Sequence, residues 1–211
     1  MKHSMSTFCT PFRLQVFGCR LLAYPLKTTM AINLLFYANC FLLSCSSAKP
    51  AQIVNTEPPV KLYETLKDTD GSKMLKGILF KEQVTQDTAF GWYAQNVKLT
   101  KPGVEAIAAI AAKADKISLI IFGGTWCEDT HQLLPKYLSL LEAAKFPDSR
   151  LTLVAVDRAK TTFGNLHRQF NITNVPTCIV MKDGKEVGRI TEFGKTTFVD
   201  KELGEMVAAI N

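Results

Sequence analysis

The stretch that most constrains this chain is residues 117–122, Ile-Ser-Leu-Ile-Ile-Phe, which is apolar at nearly every position and stops at Gly123-Gly124. A short run that is apolar on both sides of a period of two suits a strand covered on both faces, inside a sheet flanked by helices. After Thr125-Trp126-Cys127-Glu128-Asp129-Thr130, apolar residues recur at helical spacing through Leu133, Leu134, Tyr137, Leu138, Leu141 and Ala144. A second apolar run, 151–156, ends at Asp157, and 163–170 can form a short helix. Asn174-Val175-Pro176-Thr177 opens a third strand over 178–181, and Asp183-Gly184 turns it into a fourth over 186–191. An amphipathic helix over about 199–210 closes the chain. The order strand, helix, strand, helix, strand, hairpin strand, helix predicts an α/β fold. Its central mixed sheet pairs its first strands in parallel through crossover helices.

Upstream, residues 81–97 and 104–113 carry helical patterns, the second opened by Pro102-Gly103, and 68–72 read as a turn. Residues 61–114 are therefore expected to be an N-terminal helical extension packed on a domain of 115–211. Pro50, Pro58 and Pro59 mark 46–60 as an extended tether.

Residues 1–45 differ in kind. They hold Lys2, Arg13, Arg20 and Lys27 and no acidic residue, followed by an apolar run ending in Leu42-Leu43-Ser44-Cys45. A basic region before an apolar segment too short to span a bilayer comfortably reads as an export leader. Setting it aside leaves 21 Lys and Arg against 19 Asp and Glu. The formal charge of +6 thus speaks of export, and no basic stripe with interleaved aromatics points to nucleic acid. Four of the six cysteines, Cys9, Cys19, Cys40 and Cys45, also fall in the leader, so a three-bridge disulfide framework dissolves. Cys127 and Cys178 remain. No Cys or His pair has the close spacing of a structural zinc site, and nothing calls for a cofactor.

Leu42-Leu43-Ser44-Cys45 resembles the lipobox of bacterial lipoproteins, which implies lipidation of Cys45 and a chain tethered to a membrane on its extracytoplasmic, periplasmic side. Residues 115–211 resemble the thioredoxin superfamily. Trp126-Cys127 sits between a buried strand and a helix, Pro135 lies where thioredoxins carry a helix-kinking proline, and Val175-Pro176-Thr177 stands at the family's cis-proline. Lys182-Asp183-Gly184-Lys185 matches its late hairpin. Trp92-Tyr93 ahead of Pro102 is similar to the N-terminal extension of extracytoplasmic thioredoxin-like proteins of Bacteroidetes-type bacteria.

The resemblance implies a reactive Cys127, walled by Trp126 and faced by Val175, Pro176 and Thr177 as the contact for a substrate chain. A helix N-terminus offers unpaired N–H groups and partial positive charge to a thiolate, while Glu128 and Asp129 oppose it. The pattern departs from the family at its fourth position: Cys127-Glu128-Asp129-Thr130 replaces Cys-x-x-Cys. A Thr130 hydroxyl can donate a hydrogen bond to the thiolate but cannot resolve a mixed disulfide. Ile121 likewise stands where many thioredoxins bury an acid. Cys178 is the one internal candidate for a resolving thiol, set against the commoner role of a buried cysteine as a small hydrophobe. His131, just after Thr130, reads as an exposed helix residue, set against a role in influencing Cys127 or moving a proton. Two functions follow from the resemblance. One is single-cysteine thiol–disulfide exchange, as an oxidoreductase acting on protein thiols and disulfides or on a small-molecule thiol. The alternative is a redox-inactive binding or chaperone-like module.

Overall fold

The computed structural model describes residues 62–211. Six strands form one sheet: β1 (Tyr63–Lys67), β2 (Lys73–Leu79), β3 (Ser118–Gly123), β4 (Leu151–Ala155), β5 (Thr177–Lys182) and β6 (Lys185–Thr191). Their spatial order is β1-β2-β4-β3-β5-β6. Only β3 and β4 run parallel; every other neighbouring pair is antiparallel. The helices are α1 (Glu82–Thr85), α2 (Gly91–Val97), α3 (Val104–Lys113), α4 (Glu128–Ala143), α5 (Leu166–Gln169) and α6 (Val199–Ala208). This is a thioredoxin-like arrangement, a mixed sheet flanked by helices.

Alternation along β3 and β5 divides the core between two faces. Leu119, Ile121, Cys178 and Val180 pack with the apolar stripes of α3, α4 and α6, including Ile110, Leu133, Tyr137 and Leu203. Phe122, Val154, Val156 and Ile179 face the other way, where Trp126, Cys127, Leu166 and Phe170 pack against them. Ile121 is thus an ordinary core residue, 1% exposed. Pro135 lies buried inside α4.

Residues 61–114 depart from a purely helical extension. Their first part is the β1–β2 hairpin, which extends the sheet beyond β4 and turns through Asp68 and a left-handed Gly71 at φ +83°. The 68–72 turn signal was legible, but its flanking strands were not. β1 is an edge strand with no buried residue, and Lys76 and Gly77 interrupt the apolar pattern of β2. The leader and tether assignments, with Cys45, lie outside the described residues. Among the described residues no helix is long and apolar enough to cross a membrane.

Candidate functional site

Cys127 is the N-cap of α4, with extended backbone (φ −96°, ψ 122°) just before the first helical residue. It is half-buried, and its Sγ donates to the Val175 carbonyl at 3.3 Å. The Val175–Pro176 peptide bond is cis. The helix start and the loop before β5, 48 residues apart in sequence, therefore meet at one sulfur. Glu128 and Asp129 occupy the first turn of α4, where acids complement the helix dipole.

Trp126 flanks the thiol. Its Nε1 donates to the Val156 carbonyl at 2.9 Å, which seats the indole over the end of β4. Gly124 makes room for it: a Cβ there would lie 2.7 Å from the indole Cε2. Across the site, the Glu192 N–H donates to the Pro176 carbonyl at 2.7 Å, and Asn174 Nδ2 donates to Glu192 at 2.8 Å. Val175 and Pro176 are buried beside the sulfur. Thr177, expected among the substrate contacts, is 2% exposed and gives its hydroxyl to the Asn174 carbonyl at 2.8 Å. It braces the loop rather than lining the cleft, because alternation at the start of β5 turns its side chain inward.

Thr130 also differs from expectation. It is 1% exposed, and its Oγ1 accepts the Gly124 N–H at 3.2 Å. Among the described residues no hydrogen bond joins it to the Cys127 sulfur. The first turn of a helix capped at Cys127 lies over the strand end, so the hydroxyl satisfies a buried backbone donor there. Cys178 is fully buried in the opposite layer, and burial pushes its thiol up to about 12. A thiol held that far above neutrality is a poor nucleophile, which favours the packing role over resolution. The neighbouring Tyr137 phenol is pushed above its usual range by burial, and its hydroxyl has no partner among the described residues.

Arg158, Asp68 and Thr125, which sequence reasoning did not single out, and His131, which it read as exposed, complete the site. Arg158, just past β4, lies with its guanidinium carbon 5.1 Å from the Trp126 ring centroid. Its Nε and Nη2 donate to Asp68 at 2.5 and 2.9 Å. Thr125 Oγ1 accepts the Leu75 N–H of β2 at 3.1 Å, a second tie between hairpin and site. His131 is half-buried rather than exposed. It stacks on Trp92 of α2 at 4.3 Å between centroids, and its Nε2 lies 2.8 Å from the Thr125 carbonyl. Asn96 Nδ2 donates to the His131 carbonyl at 2.9 Å. The only sequence signals for the Asp68–Arg158 pair were an acid in the 68–72 turn and a basic residue just past Asp157. Among the described residues no group of three or more His, Cys, Asp or Glu side chains is placed to hold a metal ion.

Comparison with known proteins meets this geometry. Residues 103–203 match the thioredoxin family model. This stretch is similar to a thioredoxin domain. It takes in α3 and runs into α6, so the β1–β2 hairpin, α1 and α2 lie ahead of the match. The TPR repeat-containing thioredoxin TDX of Arabidopsis thaliana is 30% identical over 98 residues, which cover 46% of this chain and 24% of that protein. The chain therefore spans about a quarter of that relative's length. Among solved structures, thioredoxin O2 of Arabidopsis thaliana is 24% identical, covering 50% of this chain and 90% of that one at a TM-score of 0.33. The germline-specific thioredoxin Deadhead of Drosophila melanogaster is 19% identical, with 49% and 90% covered and a TM-score of 0.34.

Proposed function

We propose that this protein is a membrane-tethered, thioredoxin-like oxidoreductase that performs single-cysteine thiol–disulfide exchange on extracytoplasmic proteins. The observation that carries the reading is the Cys127 sulfur itself, half-exposed at the start of α4 and facing the Val175 carbonyl. Thioredoxins as a family act on protein thiols and disulfides, and a thiolate at a helix N-terminus is suited to that attack. In the forward step the Cys127 thiolate attacks one sulfur of a partner disulfide. A bond forms between the two sulfurs, the partner's S–S bond breaks, and its other sulfur leaves as a thiolate. Because Thr130 supplies no second thiol and Cys178 is buried, an external protein or small-molecule thiol completes the exchange. The Val175 N–H, without a partner among the described residues, leaves one backbone donor for an extended partner chain. The lipobox-like Cys45 supports the tether and the periplasmic side.

Trapping tests both parts. Cells are alkylated and fractionated, and the chain is resolved without reductant. Disulfide-linked adducts are expected in the membrane fraction, to persist because nothing in the site resolves them, and to vanish in Cys127→Ser. Cys45→Ser should move them to the soluble fraction. The absence of any Cys127-dependent adduct would instead favour the redox-inactive binding module, and soluble adducts with Cys45 intact would remove the tether.

A further inference from the structure

Arg158 stands on the rim of the Cys127 cleft in an unusual setting. Its partner Asp68 is nearly buried, with a side chain 3% exposed, while the Arg158 side chain is 48% exposed. A guanidinium presents five N–H groups in a rigid fork. Asp68 takes Nε and one hydrogen of Nη2. The end-on edge, made of Nη1 and the second hydrogen of Nη2, has no partner among the described residues. The guanidinium carbon also lies over the Trp126 ring, so a cation–π contact as well as the ion pair holds the group in place. Hydrogen bonding to Asp68 chiefly, against the cost of burial and with the charges of Asp68 and Asp70 adding to it, raises Arg158 above its usual range. A guanidinium anchored by a buried carboxylate beside a reactive sulfur, with its end-on edge free, is suited to a planar carboxylate. On the α4 side of the sulfur, Glu128 and Asp129 present the opposite charge.

We propose that the free edge of Arg158 is a carboxylate-recognition site that selects partner polypeptides carrying Asp or Glu on one side of the reacting cysteine. The proposal rests on the thiol–disulfide exchange reading of Cys127. Sidedness follows from the charges: a carboxylate on the Trp126 flank meets Arg158, and one on the helix flank meets Glu128 and Asp129.

The test uses three synthetic peptides, Glu-Cys-Gln, Gln-Cys-Glu and Gln-Cys-Gln, each activated as a mixed disulfide with 2-thiopyridine. Cys127 attacks the peptide sulfur, the bond to the pyridyl sulfur breaks, and pyridine-2-thione leaves and is read by absorbance. Rates are normalised to those with 2-mercaptoethanol and corrected with Cys127→Ser. One of the two Glu peptides is expected to react about tenfold faster than Gln-Cys-Gln, the size of one charge-assisted hydrogen-bonding contact. Arg158→Gln should bring that ratio to about one. Equal rates for all three peptides, or an Arg158→Gln loss shared equally among them, would overturn the recognition site and leave the exchange reading standing. No Cys127-dependent release from any peptide would overturn both.

Discussion

Replacing Gly124 with alanine is the most direct test of how the Cys127 cleft is built. The new Cβ would lie 2.7 Å from Cε2, 2.8 Å from Nε1 and 3.0 Å from Cζ2 of the Trp126 indole. The ring cannot yield by a rotamer flicker, because its Nε1 is bound to the Val156 carbonyl at 2.9 Å and Arg158 covers its face. Forcing a methyl into such a contact costs about 1–3 kcal/mol, and losing the indole hydrogen bond costs about 1 more. At about 2–4 °C per kcal/mol for a domain of this size, the melting temperature should fall by roughly 4–16 °C. Thermal unfolding gives that number, and the Trp126 indole N–H resonance should shift away from its wild-type position. Gly123→Ala is the matched control. Its Cβ would meet the Thr130 side chain, Cγ2 at 3.0 Å and Oγ1 at 3.6 Å, and not the indole, so it should cost less and leave the Trp126 resonance in place. If Gly124→Ala melts with the wild type and keeps the Trp126 signal, the reasoning that this glycine exists to seat the indole is wrong.

Two further outcomes follow from the same geometry. Hydrogen bonding from Arg158 holds Asp68 below the usual carboxylate range, as Lys73 does for Asp87; in Asp157 the cost of burial is outweighed by hydrogen bonds from Lys76 and Thr161. Depressed carboxylates stabilise the fold fully above their unfolded value, about 3.9, and lose that contribution as pH falls through their folded values. Melting temperature should therefore decline below about pH 4, and Asp68→Asn should flatten part of that decline; an unchanged acid slope in the variant would remove Asp68 from the account. At Thr130, valine should destabilise by about 1–3 kcal/mol because it orphans the buried Gly124 N–H, while serine, which keeps the acceptor, should cost less by denaturant titration. Equal losses in the two variants would mean that the methyl, not the hydroxyl, matters.

The α/β core was readable because its signals are local. The unbroken apolar run of β3, the helical spacing of α4 and the Asp183-Gly184 hairpin each report their own conformation within a few residues. Cys127, Trp126, Val175 and Pro176 were readable for the same reason, as motif residues at element boundaries, and the structure brings them together. The β1–β2 hairpin was not readable. An edge strand buries little, and β2 owes its place to pairing with β4, a contact across more than 70 residues. The directions of the Thr130 and Thr177 hydroxyls depended on which backbone groups lay nearby after folding, Gly124 N–H for one and the Asn174 carbonyl for the other.

By itself, then, the sequence determined the order of the elements from α3 onward, the lone thiol at a helix start and the absence of a second thiol three residues on, because these are properties of composition and spacing. Tertiary structure alone decided what surrounds that thiol. Asp68 meets Arg158 across 90 residues, Trp92 meets His131 across the α2–α4 contact, and Cys178 is withdrawn into the opposite layer. Those placements depend on long-range packing and on which charge finds which partner. No local pattern in a chain encodes them.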